Sequence, residues 1–242
     1  MLRFFRFRPP SGQHGLLFRI GWALGAAALW FVTVSIGWVL LYRVVPPPVT
    51  ITMVIDRNGF DKDWRSLSQI DRSMVDAAIA GEDSRFCQHH GFDTAGIAYA
   101  LRRNVKGGRL RGGSTISQQT AKNAFLWQGT GWTRYARKGL ETWYTLLIEG
   151  LWPKRRIMEV YLNVAETGVG TYGVEAAARR YFGHSAAHLS QIEAARIAAI
   201  LPAPKRREAV APGGFTRRHG NSIAARGRVV RSSEYDACVY DD

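Results

Sequence analysis

Residues 78–93 read AIAGEDSRFCQHHGFD, and Glu82 continues an apolar helical series in which Val75, Ala78 and Ile79 stand at offsets 0, 3 and 4. A carboxylate on a buried helix face costs several kcal/mol unless a partner satisfies it or chemistry uses it. Two readings are open. Either the helix stops at Gly81 and leaves Glu82 and Asp83 solvated in a loop, or the fold keeps an acid against an apolar wall for use. A second polar stretch, RGGSTISQQTAKN at residues 111–123, joins a glycine pair, hydroxyls, amides and Lys122. Glycines let backbone N–H groups approach an anion, hydroxyls and amides donate to its oxygens, and the lysine adds charge. The nucleotide pattern of Gly, four residues, then Gly-Lys-Ser/Thr is missing, which argues against ATP or GTP. A polar turn that caps a helix is the plainer alternative. In RKGLETWYTLLIEGLWPK, residues 137–154, Glu141 stands beside the stripe Leu140, Tyr144, Leu147 and Leu151, one turn after Arg137. That pair is either part of a site or a surface ion pair worth about 0.3–0.5 kcal/mol. The stretch from Lys154 to Gly183 reads as framework, with a glycine-rich bend at Gly168, Gly170 and Gly173.

These segments need a scaffold, and the chain of 242 residues is long enough for one well-cored domain. Lys and Arg number 33 against 19 acids, so the partner is expected to be polyanionic: nucleic acid, anionic lipid or pyrophosphate. Residues 20–42 carry no charge and would extend roughly 34 Å as a helix, enough to span a bilayer. Arg3, Arg6, Arg8 and Arg19 precede it, and no acid occurs before Asp56, which holds the N-terminus (residues 1–19) in the cytoplasm. The apolar run is long and ends in YRVVPPP, without a small-residue cleavage site, so an uncleaved anchor is expected. Residues 43–48 form a stiff Pro-rich linker, and VTITMVIDRNGF after it reads as a β-branched strand running into an Asn-Gly turn. Helical periodicity covers residues 71–81, 97–105, 117–125, 132–152, 155–164, 172–181 and 190–201, and Ser190 with Glu193 makes a capping box. The domain over residues 49–204 is therefore mainly α. Residues 205–242, rich in Arg, Gly and Ser, are expected to form a loosely ordered basic tail against anionic headgroups or in solvent. Cys87 and Cys238 are too few for a disulfide framework and are read as free.

Taken in order, the polar segments resemble those of the monofunctional, membrane-anchored peptidoglycan glycosyltransferases, a lysozyme-like family. Glu82, Asp83, Phe86, His89 and Gly91 match its first motif, Glu-Asp-x-x-Phe-x-x-His-x-Gly, and Gly113, Ser114, Thr115, Ile116, Gln118, Gln119, Lys122 and Asn123 match its second. Arg137, Lys138, Glu141 and Glu149 match the third, with Thr145 where Ala is usual and Ile148 where Leu is usual. Lys154, Ile157, Tyr161, Leu162 and Asn163 match the fourth, and HLSQIEAARIAAILPAP the fifth, with Arg196 and Ile197 as departures.

The resemblance implies a lysozyme-like α-helical domain behind one transmembrane helix, in the bacterial inner membrane, with the catalytic domain in the periplasm. It implies polymerisation of lipid II into glycan strands, with inversion: the acceptor's 4-hydroxyl attacks a growing chain carried on polyprenyl pyrophosphate. In that frame Glu82 is the general base, and Glu141 is the second functional carboxylate, near the donor phosphates. Lys122, Arg137 and Lys138 counter the pyrophosphate charge, and Ser114, Thr115, Gln118, Gln119 and Asn123 bind sugar or phosphate oxygens. Asp83 and His89 orient Glu82, and Phe86 packs. No organic cofactor is implied, and a divalent cation, Mg or Mn, has its place near Glu141. The implied partners are lipid II, the growing chain, the membrane and other cell-wall synthases, not nucleic acid. No Ser-x-x-Lys quartet occurs, so no penicillin-binding transpeptidase module is expected. The alternatives are a muramidase or lytic transglycosylase of the same fold, and a membrane-tethered basic adaptor.

Overall fold

A computed structural model describes residues 15–96, 98, 113–128 and 131–240. The expected helix over residues 97–105, apart from residue 98, and Arg111 and Gly112 of the glycine-pair stretch lie outside the described residues. The domain is mainly α, as its periodicity requires. Helix α1, Leu16–Val44, is the one helix among the described residues long and apolar enough to cross a membrane. Its first half shows apolar side chains outward, including Leu17 and Leu24. Its second half is docked on the domain. Trp143 Nε1 donates to Ser35 Oγ at 3.1 Å, Trp152 Nε1 donates to the Val39 carbonyl at 2.8 Å, and the Arg156 guanidinium donates to the carbonyls of Tyr42 and Val45.

The strand expected after the prolines is a short helix, α2, Ile51–Ile55. The Thr50 side chain accepts from Met53 N at its start, and Asp56 Oδ1 accepts from Asn58 N beyond its end. Local cap and turn bonds override the weak β preference of so short a run. A small sheet follows in the order β1-β3-β2, from β1 (Asp61–Lys62), β2 (Glu166–Gly168) and β3 (Thr171–Tyr172), with β1 parallel and β2 antiparallel to β3. Helix α3, Arg72–Glu82, runs through the middle of the domain: every residue from Ser73 to Ala80 is buried. Beside it lie α4 (Ile116–Phe125), α5 (Thr133–Leu151), α6 (Lys154–Val164), α7 (Val174–Phe182) and α8 (Gln191–Ile200). α4 packs between α5 and α6, while α8 covers α3. The capping box of Ser190 and Glu193 opens α8 as the sequence indicates.

The C-terminal region departs from expectation. Residues Gly214–Ser232 form a helix, α9, packed on both α3 and α8, and Ala237–Tyr240 form a last turn, α10. Gly220, Ile223, Ala224, Gly227 and Val230 make the buried face of α9 at offsets 0, 3, 4, 7 and 10, so the run is an amphipathic helix rather than a loose tail. Ile223 lies against Gly81 and Gly227 against Asp76; a Cβ added at Gly81 would meet Ile223 Cδ1 at 3.3 Å. Arg231 Nε donates to Asp76 at 2.7 Å, and the Arg72 guanidinium donates twice to the fully buried Asp236, at 2.7 and 3.0 Å. Cys87 and Cys238 are not free but joined in a disulfide, with Cα atoms 5.5 Å apart. α9 and α10 carry Cys238 back to the loop that follows α3, an approach that no local sequence pattern records.

Candidate active site

Helix α3 does not stop at Gly81. Its last residue is Glu82, with Asp83 as the C-cap, so the solvated-loop reading fails. Glu82 opens into a cavity of about 770 Å³ that it shares with Gln119 and Lys122 of α4 and with Arg137, Lys138 and Glu141 of α5. Gln119 Nε2 donates to Glu82 Oε2 at 2.9 Å. Burial pushes the Glu82 carboxyl above its ordinary value. The Gln119 hydrogen bond and the charges of Arg207 and Lys122 offset part of that rise, and neighbouring Asp83 adds to it.

Glu141 has the opposite surroundings. It is buried, at 3% exposure, which removes the surface-pair reading. Arg137 Nη1 donates to its Oε2 at 3.0 Å, and Lys138 Nζ donates to its Oε1. Both oxygens are thereby engaged by cations. Burial lowers the Lys122 ammonium below its ordinary value; Glu141 acts against that shift, whereas Arg137 and Lys138 reinforce it. A wall of cations therefore faces the cavity, and only part of its charge is neutralised from within the protein.

Asp83 and His89 do meet: His89 Nε2 lies 2.9 and 3.0 Å from the two Asp83 oxygens, and Asp83 Oδ2 accepts from Ile116 N, the first residue of α4, at 3.0 Å. Asp83 thus ties the end of α3 to the start of α4, where the helix dipole favours an anion. Phe86 is fully buried, and the Lys154 ammonium stands 4.5 Å over its ring while donating to the His89 carbonyl at 2.7 Å. Lys154 also donates to Glu149 at 2.8 Å, and Ser117 Oγ donates to the same carboxylate, so these residues form a buried brace under the site. Gly91 sits at φ +87°, and a Cβ there would come within 2.7 Å of Thr145 on α5. Only glycine lets that loop close against the helix.

The proposed oxygen-binding residues divide. Thr115 and Gln118 form the capping box of α4: Thr115 Oγ1 accepts from Gln118 N and donates to the Gly91 carbonyl at 2.6 Å, while Gln118 Oε1 accepts from Thr115 N. Thr115 is thereby occupied in holding the loop and helix start, whereas Gln118 spends only its Oε1 there and also lines the cavity with Glu82. Ser114 is exposed at the cavity rim, and Gln119 faces Glu82. Asn123 lines a second chamber of about 540 Å³, which shares Gln119, Lys122 and Pro202 with the first. Tyr161 and Glu166 line that chamber too, so the segment read as framework also contributes wall. Burial raises the Glu166 carboxyl, with Lys205 opposing the shift from 3.1 Å. The opposite side of the Glu82 cavity comes from the C-terminal region, through Arg207, Phe215, His219 and Arg226. Sequence reasoning missed these four because it set that region apart from the domain.

The profile of the Transglycosylase family matches residues 50–227, which takes in the cleft and α9 as far as Gly227. The chain is 49% identical over 204 residues to the "Biosynthetic peptidoglycan transglycosylase" of Caulobacter vibrioides, covering 83% of this chain and 88% of the relative. It is 50% identical over 198 residues to the protein of that name from Pseudomonas aeruginosa, covering 78% and 84%. Against the one from Xanthomonas campestris, identity is 46% over 238 residues, covering 94% of each. The chain belongs to the transglycosylase family.

Proposed function

We propose that the protein is a peptidoglycan glycosyltransferase that polymerises lipid II, the work its relatives' names describe. The observation that carries this reading is one desolvated carboxylate, Glu82, in the same cavity as Lys122, Arg137 and Lys138. Expelling a pyrophosphate needs one base and a bank of cations. Cleaving a glycoside needs a carboxylic acid to protonate the departing alcohol, and usually a second carboxyl opposite it. Glu141 is unsuited to that second part, because two cations hold its oxygens. Glu82 accepts the proton of the acceptor's 4-hydroxyl as that oxygen bonds to the anomeric carbon of the growing chain. The bond from that carbon to the pyrophosphate oxygen breaks on the opposite face, inverting the centre. The electron pair leaves with the phosphate, whose charge Lys122, Arg137 and Lys138 counter. Ser114, Gln118, Gln119 and Asn123 meet sugar or phosphate oxygens, whereas Thr115 shapes the backbone around them.

A divalent cation enters this reading only with the substrate. Among the described residues no group of three or more His, Cys, Asp or Glu side chains could cage an ion, and the donors around Glu141 are cations. The donor set does not fit a resident metal. The domain belongs on the outer face of the bacterial inner membrane. The arginines before α1 favour a cytoplasmic N-terminus, and a disulfide persists in an oxidising compartment. α1 docked on α5 holds the cleft at the lipid surface, where pyrophosphate head groups lie. Incubating the full chain in detergent with labelled lipid II, and separately with mature glycan strands, tests the reading. Polymer growth in the first and no shortening in the second is the expected result; shortened strands without growth would establish the lytic alternative.

A further inference from the structure

The loop that leaves Glu82 is fixed at both ends by non-covalent bonds. Asp83 holds His89 and the start of α4, and Lys154 holds the His89 carbonyl. Its middle is held differently. Arg85 pairs with Gln88 and Asp93 on the exposed surface, contacts that contribute little in water. Buried Phe86 and the covalent bond from Cys87 to Cys238 in α10 supply the firm attachments. The C-terminal segment that carries Cys238 has anchors of its own. Arg72 grips Asp236, Arg231 grips Asp76, and Arg155 donates to the Val239 carbonyl at 3.3 Å. With the bond open, α9 and α10 would stay on the domain while the middle of the Glu82 loop kept buried Phe86 as its remaining firm attachment.

We propose that the Cys87–Cys238 disulfide positions the loop behind the general base, so that the rate of glycan transfer depends on the oxidation state of this pair. The proposal rests on the assignment of Glu82 as the base. Cys87 lies five residues beyond Glu82, in the turn Phe86–Gln88. Glu82 is the last residue of α3, and Asp83, its C-cap, closes the loop onto His89 and the start of α4, so a slack loop would free that end and admit water to Glu82. Both cysteines are half-buried, within reach of a small thiol. Closing the bond removes two protons and two electrons from the thiols and delivers them to a disulfide-bearing oxidoreductase, which leaves as a dithiol. Opening it is the reverse exchange with a dithiol.

The test uses the full chain in detergent, reduced with dithiothreitol and checked by alkylation of two thiols, alongside the double variant Cys87→Ser, Cys238→Ser. With helical circular dichroism retained, kcat on lipid II should fall at least fivefold and KM stay within twofold. The acid limb of the pH–rate profile should move toward the ordinary carboxylate range as water reaches Glu82. Reoxidation with glutathione disulfide should restore the native chain and not the serine variant. Arg72→Gln, which cuts an anchor of α10 and spares the disulfide, should lower the Tm and leave kcat and the pH limb in place. Unchanged kcat and pH limb after verified reduction would overturn the proposal. So would loss of the helical signal on reduction, which would make the bond a staple for the whole fold. Activity of Glu82→Gln in the oxidised enzyme would instead sink the base assignment, and is scored separately from any redox response.

Discussion

Glu82 and Glu141 face one cavity from two helices, and their surroundings are opposites. Glu82 has a single amide donor and a buried setting that pushes its proton affinity up. Glu141 has a cation on each oxygen. A carboxylate that must take a proton needs the first environment, and one that must order cations for a phosphate needs the second. The contrast teaches that the site works by separating base and electrostatic duties, with Lys122 between them.

The sharpest way to break that division is to neutralise each acid in turn. Glu82→Gln should cut kcat by about 10³-fold while the protein folds normally, the size expected of a lost general base. Lipid II turnover checks it, and near-wild-type activity would remove Glu82 from the chemistry. Lys122→Ala follows, with about 10²-fold expected in kcat/KM because a cation aimed at the departing phosphate is gone. Glu141→Gln should cost about tenfold, roughly 1.4 kcal/mol, expressed mainly in KM as Arg137 and Lys138 lose their alignment. A larger loss at Glu141 than at Glu82 would reverse the assignment of duties.

The smallest effect is on stability, and its sign is diagnostic. Folding raises the Glu82 pKa, so the folded chain binds that proton more tightly than the unfolded one, and stability falls as pH rises from the unfolded value toward the folded value. Glu82→Gln should therefore raise the Tm by roughly 1–3 °C at pH 7 and change nothing below about pH 4. Calorimetry at the two pH values checks it. A lower Tm at neutral pH would mean that Glu82 is a structural residue.

The helices that carry the site were legible because each buries one periodic face, and Glu82 was legible because it continues such a face at the end of α3. α9 follows the same rule at Gly220, Ile223, Ala224, Gly227 and Val230, yet its small residues alternate with arginines, and composition hid the period. With the C-terminal region taken for a tail, Arg207 and the α9 residues Phe215, His219 and Arg226 were absent from the expected cleft. The disulfide joins residues 151 positions apart, a distance over which only tertiary packing decides proximity. Thr115 has the right chemistry for a ligand, and the sequence could not tell a ligand donor from a cap that uses the same atoms.

The most direct test of the central claim is the pH dependence of the single-turnover rate on lipid II, native enzyme against Glu82→Gln. The account predicts an acid limb clearly above the ordinary glutamate value of 4.5 in the native enzyme, and a residual rate without that limb in the variant. A limb at the ordinary value, or one that survives the substitution, would contradict it.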